Sequence, residues 1–192
     1  MLEKIIKGIK YLLYEEYLIA EVIQKKGYEG DFIIPEIVVF KKVAYRVTSI
    51  GLWAFDGCSS LTSIVIPDSV TSIGDDAFSQ CSSLTSIVIP DSVTSIGERA
   101  FKDCKSLSSI VIPDGVTSIG GSAFRDCKSL SSIVISDSVT SIGEYVFIGC
   151  KSLTSITFQG TMAQWNEIEV GNRWTDEVPA KFVLCTDGDV EI

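Results

Sequence analysis

The sequence predicts a solenoid, a stack of short β-strands and tight turns closed by a cap at each end. Three observations predict it. The passage Ile66-Pro67-Asp68-Ser69-Val70-Thr71-Ser72-Ile73-Gly74 returns every 23 residues, as Ile89 to Gly97, Ile112 to Gly120 and Ile135 to Gly143. Each copy continues through an apolar pair such as Ala77-Phe78, then a cysteine, then a Leu-x-x-Ile-x-Ile segment such as Leu61, Ile64 and Ile66. Both flanks lose the period while keeping short apolar runs. A fixed period of roughly 20 to 29 residues with this apolar signature denotes stacked units, not one globule around a pocket.

The elements follow in chain order. Residues 1–42 are expected to form an N-terminal cap and a first strand. Within them Ile9 to Tyr14 and Tyr17 to Ile23 are β-prone runs around Glu15-Glu16, the pattern of a hairpin. Asp31-Phe32-Ile33-Ile34-Pro35-Glu36 then imitates the strand-proline passage of a repeat. Residues 43–157 divide into about five units: 43–65, 66–88, 89–111, 112–134 and 135–157. In each unit, Leu61-x-x-Ile64-x-Ile66 places alternate residues on one face, the period of a strand. Pro67 stops that strand, and Asp68-Ser69 reads as a turn. Val70 to Ile73 reads as a second short extended segment closed by Gly74, and Asp75 to Phe78 as a single helical turn dropping Phe78 into the core. Residues 158–192 are expected to cap the other end. Phe158 takes the Ile66 position, the pattern dissolves through Gly160 to Trp165, and Phe182 to Cys185 supplies a closing strand.

One unit cannot bury Leu61, Ile64, Ile66, Val70, Ile73, Ala77 and Phe78 alone. Stacking the next unit at about 4.8 Å buries them in a continuous column. The open ends of such a column aggregate unless covered, so two caps imply a monomer.

Composition removes several function classes. The 192 residues include no histidine, the commonest general base and metal ligand. A net charge of −9 disfavours a phosphate backbone or an anionic lipid surface, so no nucleic acid is expected. No run approaches the roughly 20 apolar residues that span a bilayer, so no membrane insertion is expected. Lys7 and Lys10 interrupt the apolar start, so no signal peptide is visible and a cytoplasmic chain remains open. There is no Gly-x-Ser-x-Gly elbow and no phosphate-binding glycine loop. Glu167 and Glu169 beside Trp165 are the only isolated acids near aromatics. An enzyme, a metal site and a cofactor are therefore not expected.

Cys58, Cys81, Cys104, Cys127 and Cys150 recur at the repeat period, with Cys185 outside it. A zinc site needs four ligands converging on one point, whereas a stacked row spreads its thiols along the axis. Five members cannot all pair among themselves. A small apolar core role explains the row with less. Asp68, Asp91, Asp114 and Asp137 form another row. Turn capping accounts for it more simply than calcium, whose solenoid repeats carry denser acidic motifs.

Internal variation points to a binding face. The outward strand positions hardly change: Thr62, Thr85, Ser108, Ser131 and Thr154 form one row, and Ser63, Ser86, Ser109, Ser132 and Ser155 the next. Variation gathers around the Ala-Phe turn. One row reads Trp53, Asp76, Arg99, Ser122, Tyr145, and its neighbour Asp56, Ser79, Lys102, Arg125, Ile148, with Lys105, Lys128 and Lys151 beside them. Arg99, Lys102, Lys105, Arg125, Lys128 and Lys151 thus form a basic strip on an acidic protein, interleaved with Asp103 and Asp126. Such a strip suits an anionic partner, although alternating surface charge is also simply solvated. Trp53 and Tyr145 are the aromatic anchor candidates, or else pack on a cap.

The period Ile-Pro-Asp-Ser-Val-Thr-Ser-Ile-Gly-x-x-Ala-Phe-x-x-Cys-x-x-Leu-x-x-Ile, sustained from Val43 to Thr157, resembles the BspA-like class of leucine-rich repeats. The tail Gly160-Thr161-Met162-Ala163-Gln164-Trp165 with Cys185-Thr186-Asp187-Gly188 resembles the ending of such proteins. The resemblance implies a leucine-rich-repeat solenoid, mainly β with short helical turns and wound right-handed. It implies a bacterial cell-surface or secreted location, adhesive binding of a protein or glycan, and no catalysis or cofactor. The family has no fixed binding motif, so no site residues transfer. The competing expectation is an intracellular or structural scaffold for another protein.

Overall fold

The structure is a computed structural model that describes all residues, Met1–Ile192. The N-terminal cap begins with β1 (Leu2–Ile6) and β2 (Ile9–Tyr14), an antiparallel hairpin whose alternate residues Ile9, Tyr11 and Leu13 are buried. The β1 strand was not anticipated from the sequence, because Lys4 and Lys7 interrupt its apolar run. The expected hairpin around Glu15-Glu16 forms between β2 and β3 (Ile19–Val22). β4 (Glu29–Ile33), β5 (Ile37–Phe40), β6 (Val43–Ile50) and β7 (Ser60–Val65) follow. β3 lies parallel on β6 and β4 parallel on β7, so the cap already traces most of a coil. Ile34 is buried at the end of that passage, its N–H donated to the Val65 carbonyl at 3.0 Å.

From there each repeat lays down one strand on each of two faces. The first face takes β6, β8 (Ser72–Ile73), β10 (Ser95–Ile96), β12 (Ser118–Ile119) and β14 (Ser141–Ile142), all parallel and in register. The second takes β7, β9 (Ser86–Val88), β11 (Ser109–Ile112), β13 (Ser132–Ile135) and β15 (Ser155–Phe158). Its ladder is interrupted between β9 and β11, so it divides into two sheets. The stack runs one coil beyond residue 157. After α1 (Met162–Trp165), β16 (Glu169–Val170) pairs with β14, and β17 (Phe182–Cys185) pairs with β15. β18 (Gly188–Glu191) then folds back antiparallel on β17.

The third face corrects an expectation. Asp75 to Phe78 is not a helical turn; the only helix is α1. The passage is a run of tight turns with left-handed backbone at two positions four residues apart, Asp76 (φ 51°) and Gln80 (φ 60°). This lets the N–H groups of Asp76, Phe78 and Gln80 reach the carbonyls of Glu98, Ala100 and Lys102 one coil on, at 2.8, 2.8 and 2.7 Å. Inter-coil bonds satisfy the amides that a helix would satisfy internally.

Inside the coils runs one apolar cluster of 53 buried residues. Its axis is a file of phenylalanine rings, Phe55, Phe78, Phe101, Phe124 and Phe147, with successive centroids 5.1, 5.3, 5.4 and 5.7 Å apart. The caps prolong that file with other aromatics. Tyr28 closes it at one end, 4.7 Å from Phe55, and Trp174 at the other, 6.0 Å from Phe147.

Candidate partner-binding face

One of the variable rows of the repeat sits on left-handed backbone. Trp53, Asp76, Arg99, Ser122 and Tyr145 all have φ between 51° and 60°. Any residue with a Cβ is disfavoured there by about 1 kcal/mol or more, and glycine would relieve the strain. Four of the five are nonetheless large or charged. The side chains that this turn presents are therefore held at a conformational cost, which the turn positions Gln80, Asp103 and Asp126 share.

The structure brings together only part of the expected set. Arg99, Lys102, Arg125 and Tyr145 converge on a notch of about 450 Å³, with Glu98, Ser122 and Glu144. The floor is glycine, Gly121 and Gly143. Lys105 lies in a second hollow of about 340 Å³ with Ser59, Gln80 and Asp103. Lys128 and Lys151 are exposed on the following coils and line neither hollow. Trp53 stands apart at the N-terminal end of the row, 47% exposed beside the exposed Leu52. Tyr145 is half-buried, and Arg173 from the next coil lies 5.7 Å from its ring centroid.

Charge on this face is locally compensated. Arg99 lies 3.1 Å from Glu98 and 3.7 Å from Asp76, Arg125 3.3 Å from Asp126, and Lys105 3.6 Å from Asp103. Exposed pairs of this kind contribute little to stability and are readily exchanged for a partner's charges. Lys102, Lys128 and Lys151 have no carboxylate within 4.0 Å, and Lys102 is the one of them that borders the notch. Sequence reading missed Gly121, Glu98 and Glu144 as parts of this site. The signal was present: the position that holds Asp75, Glu98 and Glu144 in other coils holds glycine in one.

Elsewhere the repetitive rows serve the fold. Thr85 donates its hydroxyl to the Thr62 carbonyl at 3.3 Å, Ser131 to Ser108 at 3.0 Å and Thr154 to Ser131 at 3.4 Å. Thr71, Thr94, Thr117 and Thr140 do the same on the first face. Asp31 accepts from Thr62 and Ser63, and those two bonds hold its carboxyl below the usual carboxylate range. The Cys58 to Cys150 thiols are all buried and unpaired. Nowhere do three Cys, Asp or Glu side chains gather as a metal would need, the Asp68 row included. Glu167 and Glu169 are exposed, while Trp165 is buried against Phe158 and Trp174. No helix is long and apolar enough to cross a membrane.

The family model described as "BspA type Leucine rich repeat region" matches residues 43–168 in six copies. The family model thus counts six copies where about five units were expected, and its match runs past residue 157. Among solved structures, a leucine-rich cell-surface protein of Faecalibacterium prausnitzii is 26% identical over 100% of this chain, with a TM-score of 0.66. A leucine-rich repeat protein of Bacteroides ovatus is 28% identical over 93%, with a TM-score of 0.59. The pneumococcal vaccine antigen PcpA superposes over 97% with a TM-score of 0.76, and at 22% identity it shows the fold alone. The chain spans 58%, 57% and 50% of those three proteins. No curated protein sequence matches it at a comparable level.

Proposed function

From the premise that the chain belongs to the BspA-type leucine-rich repeat family, we propose that it is a non-enzymatic binding module of the bacterial cell surface. It holds an anionic glycan or protein ligand on the variable turn face. The observation that carries this reading is a variable row on left-handed backbone, holding Arg99, beside a second variable row that holds Lys102 and Arg125. Arg99 stands at φ 53° and Tyr145 at φ 60°, where glycine would fit with less strain, while the strand faces repeat nearly unchanged. A shallow, polar, open face suits a ligand gripped from one side and does not enclose a reacting group. Trp53 gives the same row an exposed aromatic anchor at its N-terminal end.

The test is an array of matrix proteins and glycans probed with the purified chain at low and at physiological salt. Saturable binding is expected, weakened by salt and reduced at least about tenfold in Arg99→Glu/Arg125→Glu. A blank array, or a hit that survives this double reversal, overturns the reading. The place to look would then be protein partners inside the producing cell.

A further inference from the structure

The notch between the third and fifth complete coils exists because one coil lacks a side chain. At the repeat position that follows the conserved glycine, the other coils carry Leu52, Asp75, Glu98 and Glu144, and this coil carries Gly121. The fold does not require that glycine. Its φ is not in the left-handed region, and a Cβ added there meets only Glu144 backbone atoms, at 3.4 and 3.8 Å. The neighbouring coils show what the position does when occupied: Asp75 Oδ1 accepts the N–H of Glu98, one coil on, at 2.8 Å. A carboxylate therefore fits on that amide. In the notch the corresponding N–H of Glu144 has no acceptor in the protein, because Gly121 offers none. The Gly121 N–H has none either, since the Glu98 carboxylate turns to Arg99 instead.

Around these two amides stand Lys102, free of any ion pair, and Arg99 and Arg125, with Tyr145 as the one apolar wall. We propose that this notch is the subsite for the carboxylate of an acidic sugar residue, of uronic or sialic type. The carboxylate takes the place on the Glu144 amide that Asp75 takes on Glu98, with Lys102 and the two arginines supplying positive charge. The sugar ring lies against Tyr145. Glu98 and Glu144 decide between classes of ligand. They are acceptors, and a sugar brings hydroxyl donors beside its carboxylate, whereas the side chain of an acidic peptide brings none. They also disfavour a doubly charged phosphate. A volume of about 450 Å³ is small among ligand sites and matches one or two sugar rings.

This inference rests on the binding-module reading, and one variant separates the two. Gly121→Asp restores to the coil the internal carboxylate of Asp75, while Gly121→Ala leaves the amide open. Ligand-observed NMR would be run on wild type and both variants, with D-glucuronic acid and N-acetylneuraminic acid as probes. Glucose and N-acetylglutamate amide are the controls. At least one acidic sugar should bind saturably, glucose should not bind, and N-acetylglutamate amide should bind at least about tenfold more weakly. Gly121→Asp should lose at least about tenfold in affinity with an unfolding midpoint no lower than wild type, and Gly121→Ala should retain binding. Unchanged binding in Gly121→Asp, equal binding of the glutamate derivative, or no binding of either acid overturns the subsite. If the array ligand is lost in Arg99→Glu/Arg125→Glu yet bound normally by Gly121→Asp, the face stands and the notch falls. Loss in neither variant sinks both.

Discussion

Each repeat cysteine packs and donates at once. Cys81 Sγ donates to the Phe55 carbonyl at 3.2 Å, Cys104 to Phe78 at 3.2 Å, Cys127 to Phe101 at 3.1 Å and Cys150 to Phe124 at 3.0 Å. The thiol thus fills a core position and adds a second, inter-coil donor to a carbonyl that already accepts an N–H within its own turn. Burial, the dominant cause, pushes the Cys81, Cys104 and Cys127 thiols well above their usual range. These groups stay protonated in the fold while the unfolded chain loses its thiol protons above about pH 9, so the unfolded state binds fewer protons there. The sign is fixed: stability from this source is complete below about pH 9 and is lost as pH rises past it, by about tenfold in the unfolding constant per thiol per pH unit. Tyr11 and Tyr28, raised first by burial, act in the same direction from about pH 10. Urea midpoints measured from pH 7.5 to 10.5 should be flat at first and then fall steeply. A midpoint that holds through pH 10 would show that the thiols are open to solvent.

Between elements, near-identical sequence does not give identical packing. Ser69, Ser92 and Ser138 occupy one turn position, and Gly115 holds it in the remaining coil. Ser92 and Ser138 donate to the Val70 and Val116 carbonyls of the preceding coil, at 2.6 and 2.8 Å. At Gly115 the coils approach so closely that an added Cβ would collide with the Asp91 carbonyl oxygen and crowd that of Val93. The second-face ladder opens between β9 and β11, the strands that lead directly into this contact. Restoring the repeat's own residue, Gly115→Ser, should therefore destabilise the protein, by about 1–3 kcal/mol, read as a lowered denaturation midpoint. An unchanged or raised midpoint would mean the turn relaxes freely. The strands were legible because Leu-x-x-Ile-x-Ile and Val-x-x-Ile state their faces directly. The Ala-Phe passage was not. Its residues suit a helix, and only the next coil's carbonyls, distant in sequence by one period, draw its amides outward along the axis.

For the whole molecule, the caps matter as much as the repeats. At the N-terminal end the β1–β2 hairpin extends the first-face sheet, and its outer strand carries Glu3 and Lys4, charges that blunt an open edge. At the C-terminal end β18 closes β17 and carries Asp189 and Glu191 along the outer edge. The flanking strands β2, β3 and β17 were legible as apolar runs outside the period, but Tyr28 and Trp174 were not, because a ring that ends the phenylalanine file carries no repeat spacing. The candidate face was half legible for a related reason. Variable rows show in the sequence, whereas the notch depends on an absent side chain and on amides left without acceptors. Ending the chain at Thr157 would bare the edges of β14 and β15 and the Phe147 ring, since β16, β17 and Trp174 would be gone. A parallel edge beside an apolar column accepts another strand readily. The shortened chain should form concentration-dependent oligomers by light scattering under conditions where the whole chain does not. If it stays monomeric with an unchanged unfolding transition, the last coil is dispensable and the column is closed by its fifth repeat alone.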